Sequence, residues 1–178
     1  MKLLLCAIAG YLLGSISVSI LVTKYIFHAD LRQQGSGNAG ATNAARVYGL
    51  GAGVLTFAGD FAKSILAMLL GRGLGGVMGL AVGGAACLLG HCFPVYFKFK
   101  GGKGIAVAAA CLWFVFGLVG FFIEIAAFAL GIAITRCVSV GSIAAAAICP
   151  LLALYFYWGQ WVPWLIIAAT ACVVIWAH

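Results

Sequence analysis

What this sequence lacks most is charge. Only 7% of its 178 residues are charged, and the acids number three, Asp30, Asp60 and Glu124. So few charges cannot cover a globule in water, so most of the chain must be solvated by lipid. The three acids are scattered and form no obvious carboxylate pair, which leaves a side-chain general base hard to find. Paired cysteine spacing is missing too. With no CxxC among the seven cysteines, they read as small buried hydrophobes, and no metal or cofactor is implied. A GxxxxGK[ST] loop is absent, because its first Gly would fall at Phe97 and Lys103 is followed by Gly104, so ATP hydrolysis is unsupported. There are no alternating ten-residue strands of the kind that closes a barrel, and the first apolar run lacks the small-residue context of a cleaved signal.

What is present is apolar length. The hydrophobic share is 66%, and a bilayer core of about 30 Å is crossed by about 20 helical residues. Leu3 to Thr23, bounded by Lys2 and Lys24, predicts a first span, and Val47 to Gly71 a second. Asp60 and Lys63 lie inside the second, one turn apart, where each can neutralise the other. Leu74 to His91 predicts a third span. Ile105 to Thr135 would be roughly 46 Å long as one helix, too long for one crossing without marked tilt, so a division near Gly117 to Gly120 is predicted. Cys137 to Ala177 carries no charge, and Trp158-Gly159-Gln160-Trp161 within it reads as an interfacial turn between two more helices. The expected fold is all-α, a polytopic integral membrane protein of about seven transmembrane helices, forming one domain over residues 1–178.

Orientation follows from the basic residues. Lys24, Arg32, Arg46, Lys98, Lys100, Lys103 and Arg136 fall in one set of loops, and Lys2 and Arg72 in the other. The positive-inside rule then puts the N-terminus outside and the C-terminus in the cytoplasm. A net charge of +7 is accounted for by basic loops on an anionic leaflet and requires no nucleic acid partner. Gly75, Gly79 and Gly83 repeat every four residues and read as a helix-packing stripe.

Two cytoplasmic loops, about 24–46 and 92–104, are not generic. The first contains Gly35-Ser36-Gly37-Asn38-Ala39-Gly40-Ala41-Thr42-Asn43. Its glycines allow backbone N–H groups to approach an anion, Thr42 or Asn43 can cap a short helix, and Arg46 follows one turn on. A flexible polar loop with a helix cap explains the same string. The second runs from Gly90-His91 through Pro94 to Lys100-Gly101-Gly102-Lys103-Gly104. Pro94 ends a helix, aromatic residues alternate with lysines, and a new helix starts at Ile105. An interfacial anchor explains Lys98, Phe99 and Lys100, but not a helix start written Gly-Gly-Lys-Gly. With both loops on one face, beside Arg136, Ser139 and Ser142, two phosphates are suggested.

These motifs carry a resemblance. Gly-Ser-Gly-Asn-x-Gly-Ala-Thr-Asn, then Asp60-x-x-Lys63, then Gly-His-x-x-Pro-x-x-x-x-Phe-Lys-Gly-Gly-Lys-Gly resemble the bacterial acyl-phosphate:glycerol-3-phosphate acyltransferases, the PlsY family. The resemblance spans nearly the whole chain. It implies an inner-membrane enzyme that makes 1-acyl-glycerol-3-phosphate, or lysophosphatidic acid, from acyl phosphate and glycerol 3-phosphate. By the same resemblance Ser36, Gly37, Asn38, Thr42 and Asn43 hold the acyl-phosphate head, with Gly40 in the same loop. Arg46, Lys103 and Ser142 hold glycerol 3-phosphate, and Gly101, Gly102 and Gly104 belong to that element. His91 and His178 are the remaining polar candidates, and His91 reads as an orienting group rather than a base.

The HxxxxD motif of other glycerol-phosphate acyltransferases is absent, since Tyr96 stands five residues after His91 and Gln33 five after His28. A mixed anhydride needs positioning more than a strong base. Members of the resembled family continue with His-Arg-x-x-Asn-x-x-Arg and a Gly-x-Glu, and His178 stands where that segment begins. Two alternatives follow. A transporter or channel would share the Gly-rich helices and the intramembrane Asp60/Lys63 pair, and would show paired repeat halves. An inactive regulator on the same fold is motivated by the chain end.

Overall fold

Long apolar runs become helices because lipid leaves backbone N–H and C=O groups no partner but each other. A computed structural model describes residues 1–178, and the ordered elements are helical throughout: α1 (Lys2–Gly14), α2 (Val18–Ile26), α3 (Ala41–Tyr48), α4 (Leu50–Cys92), α5 (Ile105–Thr135), α6 (Val138–Phe156) and α7 (Trp161–Trp176), with short 3-10 turns at Leu31–Gln33 and Val95–Phe97. Four segments are long and apolar enough to cross a bilayer, Lys2–Ile26, Leu50–Phe97, Ile105–Thr135 and Val138–Phe156. The chain divides into two compact units, Met1–Ala110 and Cys111–His178.

The breaks explain how so much helix fits. In α4 the backbone leaves helical geometry at Gly75 and at Gly76, whose φ of 62° is one that glycine adopts without strain. Residues 71 and 79 would be roughly 12 Å apart along a straight helix, yet a Cβ on Gly79 would run into the carbonyl of Gly71. The chain therefore doubles back there, and Cys87 Sγ meets Ser64 Oγ at 3.8 Å between the two arms. The predicted boundary between the second and third spans, at Arg72 and Gly73, lies just before this reversal, which falls at the start of the predicted third span. Likewise α5 breaks at Gly117, with φ 64°, at the near edge of the predicted division.

The first unit packs through small residues. Helix α1 runs parallel to the second arm of α4: a Cβ on Gly10 would strike Gly83 O, one on Gly14 would strike Cys87 O, and Leu3 lies against Gly75. Such close approach is how helices gain dispersion contact where lipid offers no hydrophobic driving force. Of the stripe read from the sequence, all three glycines face α1 or the facing arm, and Gly75 lies at the reversal as well. Lys2 and Arg72 thus flank one end of the unit, and the loops bearing Lys24, Arg32, Arg46, Lys98, Lys100 and Lys103 occupy the other, where Tyr11 Oη donates to Phe93 O at 2.8 Å.

Two expectations need correction. The run Leu3 to Thr23 is not one helix: it stops at Ser15, and Ser17 is extended at φ −84°, ψ 101° before α2 begins. Serine hydroxyls compensate the interruption, Ser15 Oγ donating to Tyr11 O at 2.8 Å and accepting from the N–H of Val95 at 3.3 Å. Nor does Thr42 or Asn43 cap the short helix. The cap position of α3 is Gly40, and both residues lie within the helix.

Candidate active site

The first loop is organised from below by one amide. Asn43 is 1% exposed, and its Oδ1 accepts from the N–H of Ser36 at 2.9 Å. Its Nδ2 is shared among Gln34 O at 3.0 Å, Asn38 O at 3.1 Å and Leu31 O at 3.4 Å. Every polar atom of the side chain is spent on the loop. Leu31, Ala44 and Ala52 form the small apolar core beneath it. Gly35 and Gly37 take φ of 58° and 73°, and a Cβ on Gly35 would collide with the Asn43 amide.

The loop's N–H groups are less available to an anion than the glycines suggest. Ser36 N–H goes to Asn43, Gly37 N–H to Gln34 O at 3.0 Å and Gly40 N–H to Asn38 O at 3.0 Å. What faces outward is side chain. Ser36 is exposed, as are Thr42 and Arg46, which stand four residues apart and so on one face of α3. Asn38 is half-buried and Gly40 buried.

The second loop folds onto the end of α4. The N–H of Gly102 donates to His91 O at 3.1 Å. A Cβ on Gly101 would meet that same carbonyl and Pro94 Cδ, and one on Gly102 would meet His91 Nε2 and lie 2.7 Å from Ala39 O. Gly104, at φ 83°, turns the chain into α5. The Gly-Gly-Lys-Gly string is therefore glycine for two reasons, close packing and a left-handed turn. Its packing brings the two loops together, with Gly102 between Ala39 of the first loop and the His91 ring. Lys103 is half-buried just before α5.

A second tie between the loops went unread in the sequence. Asp30 receives Arg32 in a two-pronged ion pair, Nε to Oδ1 at 3.0 Å and Nη2 to Oδ2 at 2.7 Å. The remaining prong, Nη1, reaches Phe97 O at 3.1 Å, and the guanidinium lies 5.9 Å from the Phe97 ring centre. Arg32 holds the Asp30 carboxyl below its ordinary 3.8. A depressed carboxylate contributes stability above its unfolded value and loses it as pH falls through the folded one, so this tie is intact throughout pH 5 to 8. Replacing Arg32 by Gln is expected to lower turnover on the order of tenfold, about 1.4 kcal/mol, by the same factor at pH 6 and pH 8 in steady-state assays. A sole clue lay in the sequence, an acid and a base two residues apart beside the motif.

Beneath His91 lies the buried pair expected from spacing. Lys63 Nζ is 2.8 Å from Asp60 Oδ1, and its contact with His91 Nδ1 at 3.1 Å was not foreseen. No two of the three acids pair: Asp30 is with Arg32, Asp60 with Lys63, and Glu124 is in the second unit. Ser142 and His178 belong to that second unit as well. Ser142 is 3% exposed and its Oγ donates to Val138 O at 2.9 Å, while His178 Nδ1 is 2.7 Å from Val174 O.

Residues 4–178 match the family described as glycerol-3-phosphate acyltransferase. The chain belongs to this family. A glycerol-3-phosphate acyltransferase of Pseudomonas paraeruginosa is 40% identical over 178 residues, 98% of this chain and 90% of its own length. That of Finegoldia magna is 43% identical over 141 residues, 79% of this chain and 71% of its own length. Among solved structures, the chain is similar to PlsY (YgiH), an integral membrane glycerol 3-phosphate acyltransferase, in its glycerol 3-phosphate form. The TM-score is 0.88 at 35% identity, over 100% of this chain and 88% of that one. The lysophosphatidic acid form of the same protein gives 0.86 at 32% identity. This chain is thus a glycerol-3-phosphate acyltransferase enzyme and a multi-pass integral membrane protein, as its apolar helices require.

Proposed function

We propose that the protein transfers an acyl group from an acyl phosphate to the 1-hydroxyl of glycerol 3-phosphate, the first step of bacterial phospholipid synthesis. The hydroxyl oxygen attacks the acyl carbon, the carbon–oxygen bond to phosphate breaks, and 1-acyl-glycerol-3-phosphate and phosphate leave. The hydroxyl proton passes to a substrate phosphate. No side-chain base is needed, because the mixed anhydride is already activated and the protein's task is to align two phosphates and an acyl chain. The observation that carries this reading is the convergence of the two glycine-rich loops at Gly102, between Ala39 and His91. It is supported by the glycerol 3-phosphate and lysophosphatidic acid forms of the similar PlsY structure.

In this reading Ser36, Gly37, Asn38, Gly40 and Thr42 receive the acyl-phosphate head, and Asn43 acts by holding their loop. Arg46 and Lys103 receive glycerol 3-phosphate, with Gly101, Gly102 and Gly104 shaping the backbone around Lys103, and Ser142 keeps by resemblance its role toward the same substrate. His91 orients, and His178 is a further polar contact. The 178 residues act as one transmembrane acyltransferase domain with about seven crossings. The N-terminus is outside and the loops and C-terminus face the cytoplasm of the inner membrane, as the basic residues gathered at one end of the first unit favour.

The direct test is purified protein in detergent or a lipid cubic phase, given palmitoyl phosphate and labelled glycerol 3-phosphate. Lysophosphatidic acid and phosphate in equal amounts are expected. Activity with acyl-coenzyme A but not acyl phosphate would refute the donor, and flux into liposomes without product would restore the transporter reading. For the residue roles, Lys103→Ala is expected to raise the Michaelis constant for glycerol 3-phosphate on the order of tenfold or more, as loss of a charge-assisted phosphate contact does. Unchanged constants for both substrates would remove Lys103 from the site.

A further inference from the structure

The interruption between α1 and α2 leaves a carbonyl inside the first unit without a helical donor, and a buried ammonium takes it. Lys63 Nζ donates to Ile16 O at 2.6 Å. The same nitrogen is 2.8 Å from Asp60 Oδ1 and 3.1 Å from His91 Nδ1. Lys63 is 8% exposed, Asp60 1% and His91 4%. An ammonium has three hydrogens and no lone pair; here it hydrogen-bonds Ile16 O and His91 Nδ1 and stands in ion-pair contact with Asp60. One tie therefore joins the α1–α2 break, the first arm of α4 and the end of its second arm.

The arrangement dictates where the imidazole keeps its proton. We infer that Lys63 is a positioning residue, fixing His91 as the neutral Nε2–H tautomer so that the ring presents a donor, not a base, beneath the junction of the two glycine-rich loops. A donor-only ammonium requires Nδ1 to accept, and a neutral ring then carries its hydrogen on Nε2. The amine keeps its charge through its other contacts, since Ile16 O takes one of its hydrogens at 2.6 Å and the Asp60 carboxylate lies 2.8 Å from the nitrogen. Asp60, 2.8 Å away, is the acid that faces the ammonium. From α1 and α2 it meets a backbone carbonyl, that of Ile16. The opposite edge of the ring, Nε2, is the edge against which Gly102 packs next to Ala39 O. Lys63 thus acts on the site through His91 and touches no substrate.

This inference rests on the proposed function only for its kinetic arm. Nitrogen-15 histidine spectra of the detergent-solubilised protein, with His91 assigned by the signals lost in His91→Gln, are expected to show protonated Nε2 and bare Nδ1. Lys63→Met leaves the Asp60 carboxylate, 3.5 Å away, as the nearest partner of Nδ1, so that nitrogen is expected to become protonated. Lys63→Arg, still a donor, is expected to keep the wild-type signature. Turnover is expected to fall on the order of tenfold in Lys63→Met and to recover largely in Lys63→Arg. A wild-type ring protonated on Nδ1 overturns the inference, and that spectrum decides even if Lys63→Met does not fold. Full turnover in a folded Lys63→Met overturns the positioning role. If the wild type shows the Nε2–H signature yet forms no lysophosphatidic acid from acyl phosphate, the proposed function fails and the tautomer assignment stands.

Discussion

Gly102→Ala is expected to reduce acyl transfer on the order of a hundredfold or more, although it adds a single methyl group. That methyl would meet His91 Nε2 and lie 2.7 Å from Ala39 O. Neither neighbour can yield cheaply. The His91 ring is held from behind by Lys63 and is 4% exposed, and Ala39 belongs to the loop that Asn43 pins through Asn38 O. The loop carrying Lys103 must shift instead. A misplacement of about 1 Å can cost a factor of 10² where catalysis is mostly alignment. Gly73→Ala is the matched control, since nothing lies within 4 Å of a Cβ there, and near wild-type rates are expected. Steady-state assays of both variants, with thermal unfolding as a check on folding, decide the point. Equal activity in the two would mean that the contact at Gly102 does not position the site.

Asn43 is expected to be the most destabilising site in the first loop. Asn43→Ala strands the Ser36 N–H and several loop carbonyls. With buried groups left unsatisfied at about 1–3 kcal/mol each, a loss of several kcal/mol is expected. Asn43→Asp is the sharper experiment. It keeps the size and the acceptor for Ser36 N–H, but replaces the amide donor by a carboxylate oxygen facing Gln34 O, Asn38 O and Leu31 O. A nearly isosteric change is therefore expected to be at least as damaging as Asn43→Ala, with both variants losing activity together with loop order. Thermal unfolding and protease susceptibility of residues 31–43 measure it. An active, protease-resistant Asn43→Asp would show that Asn43 meets substrate rather than backbone.

Asn43 also shows why sequence reading reached only part of this site. A Gly-Ser-Asn string announces a loop that can approach an anion, but not which polar groups turn inward to hold it. The Arg32 tie is of the same kind, because its third prong finds a backbone carbonyl, Phe97 O, and every residue has one. Lys63 and Asp60 were legible as a pair because helical spacing alone brings them together. His91, 28 residues further on, joins them only because α4 reverses at Gly75 and Gly76.

Composition and order of residues by themselves determined the lipid solvent, the all-helical class, the positions of the glycine-rich loops and the resemblance that names the chemistry. These depend on local quantities: hydrophobic run length, charge count and motif spacing. Tertiary structure alone decided that the first helix breaks at Ser15 to Ser17, that Gly40 rather than Thr42 caps α3, and that Gly102 lies between His91 and Ala39. The first and the last of those rest on contacts between segments far apart in the chain. A hydrogen bond or a steric limit across such a gap leaves no periodic trace in the residues that make it.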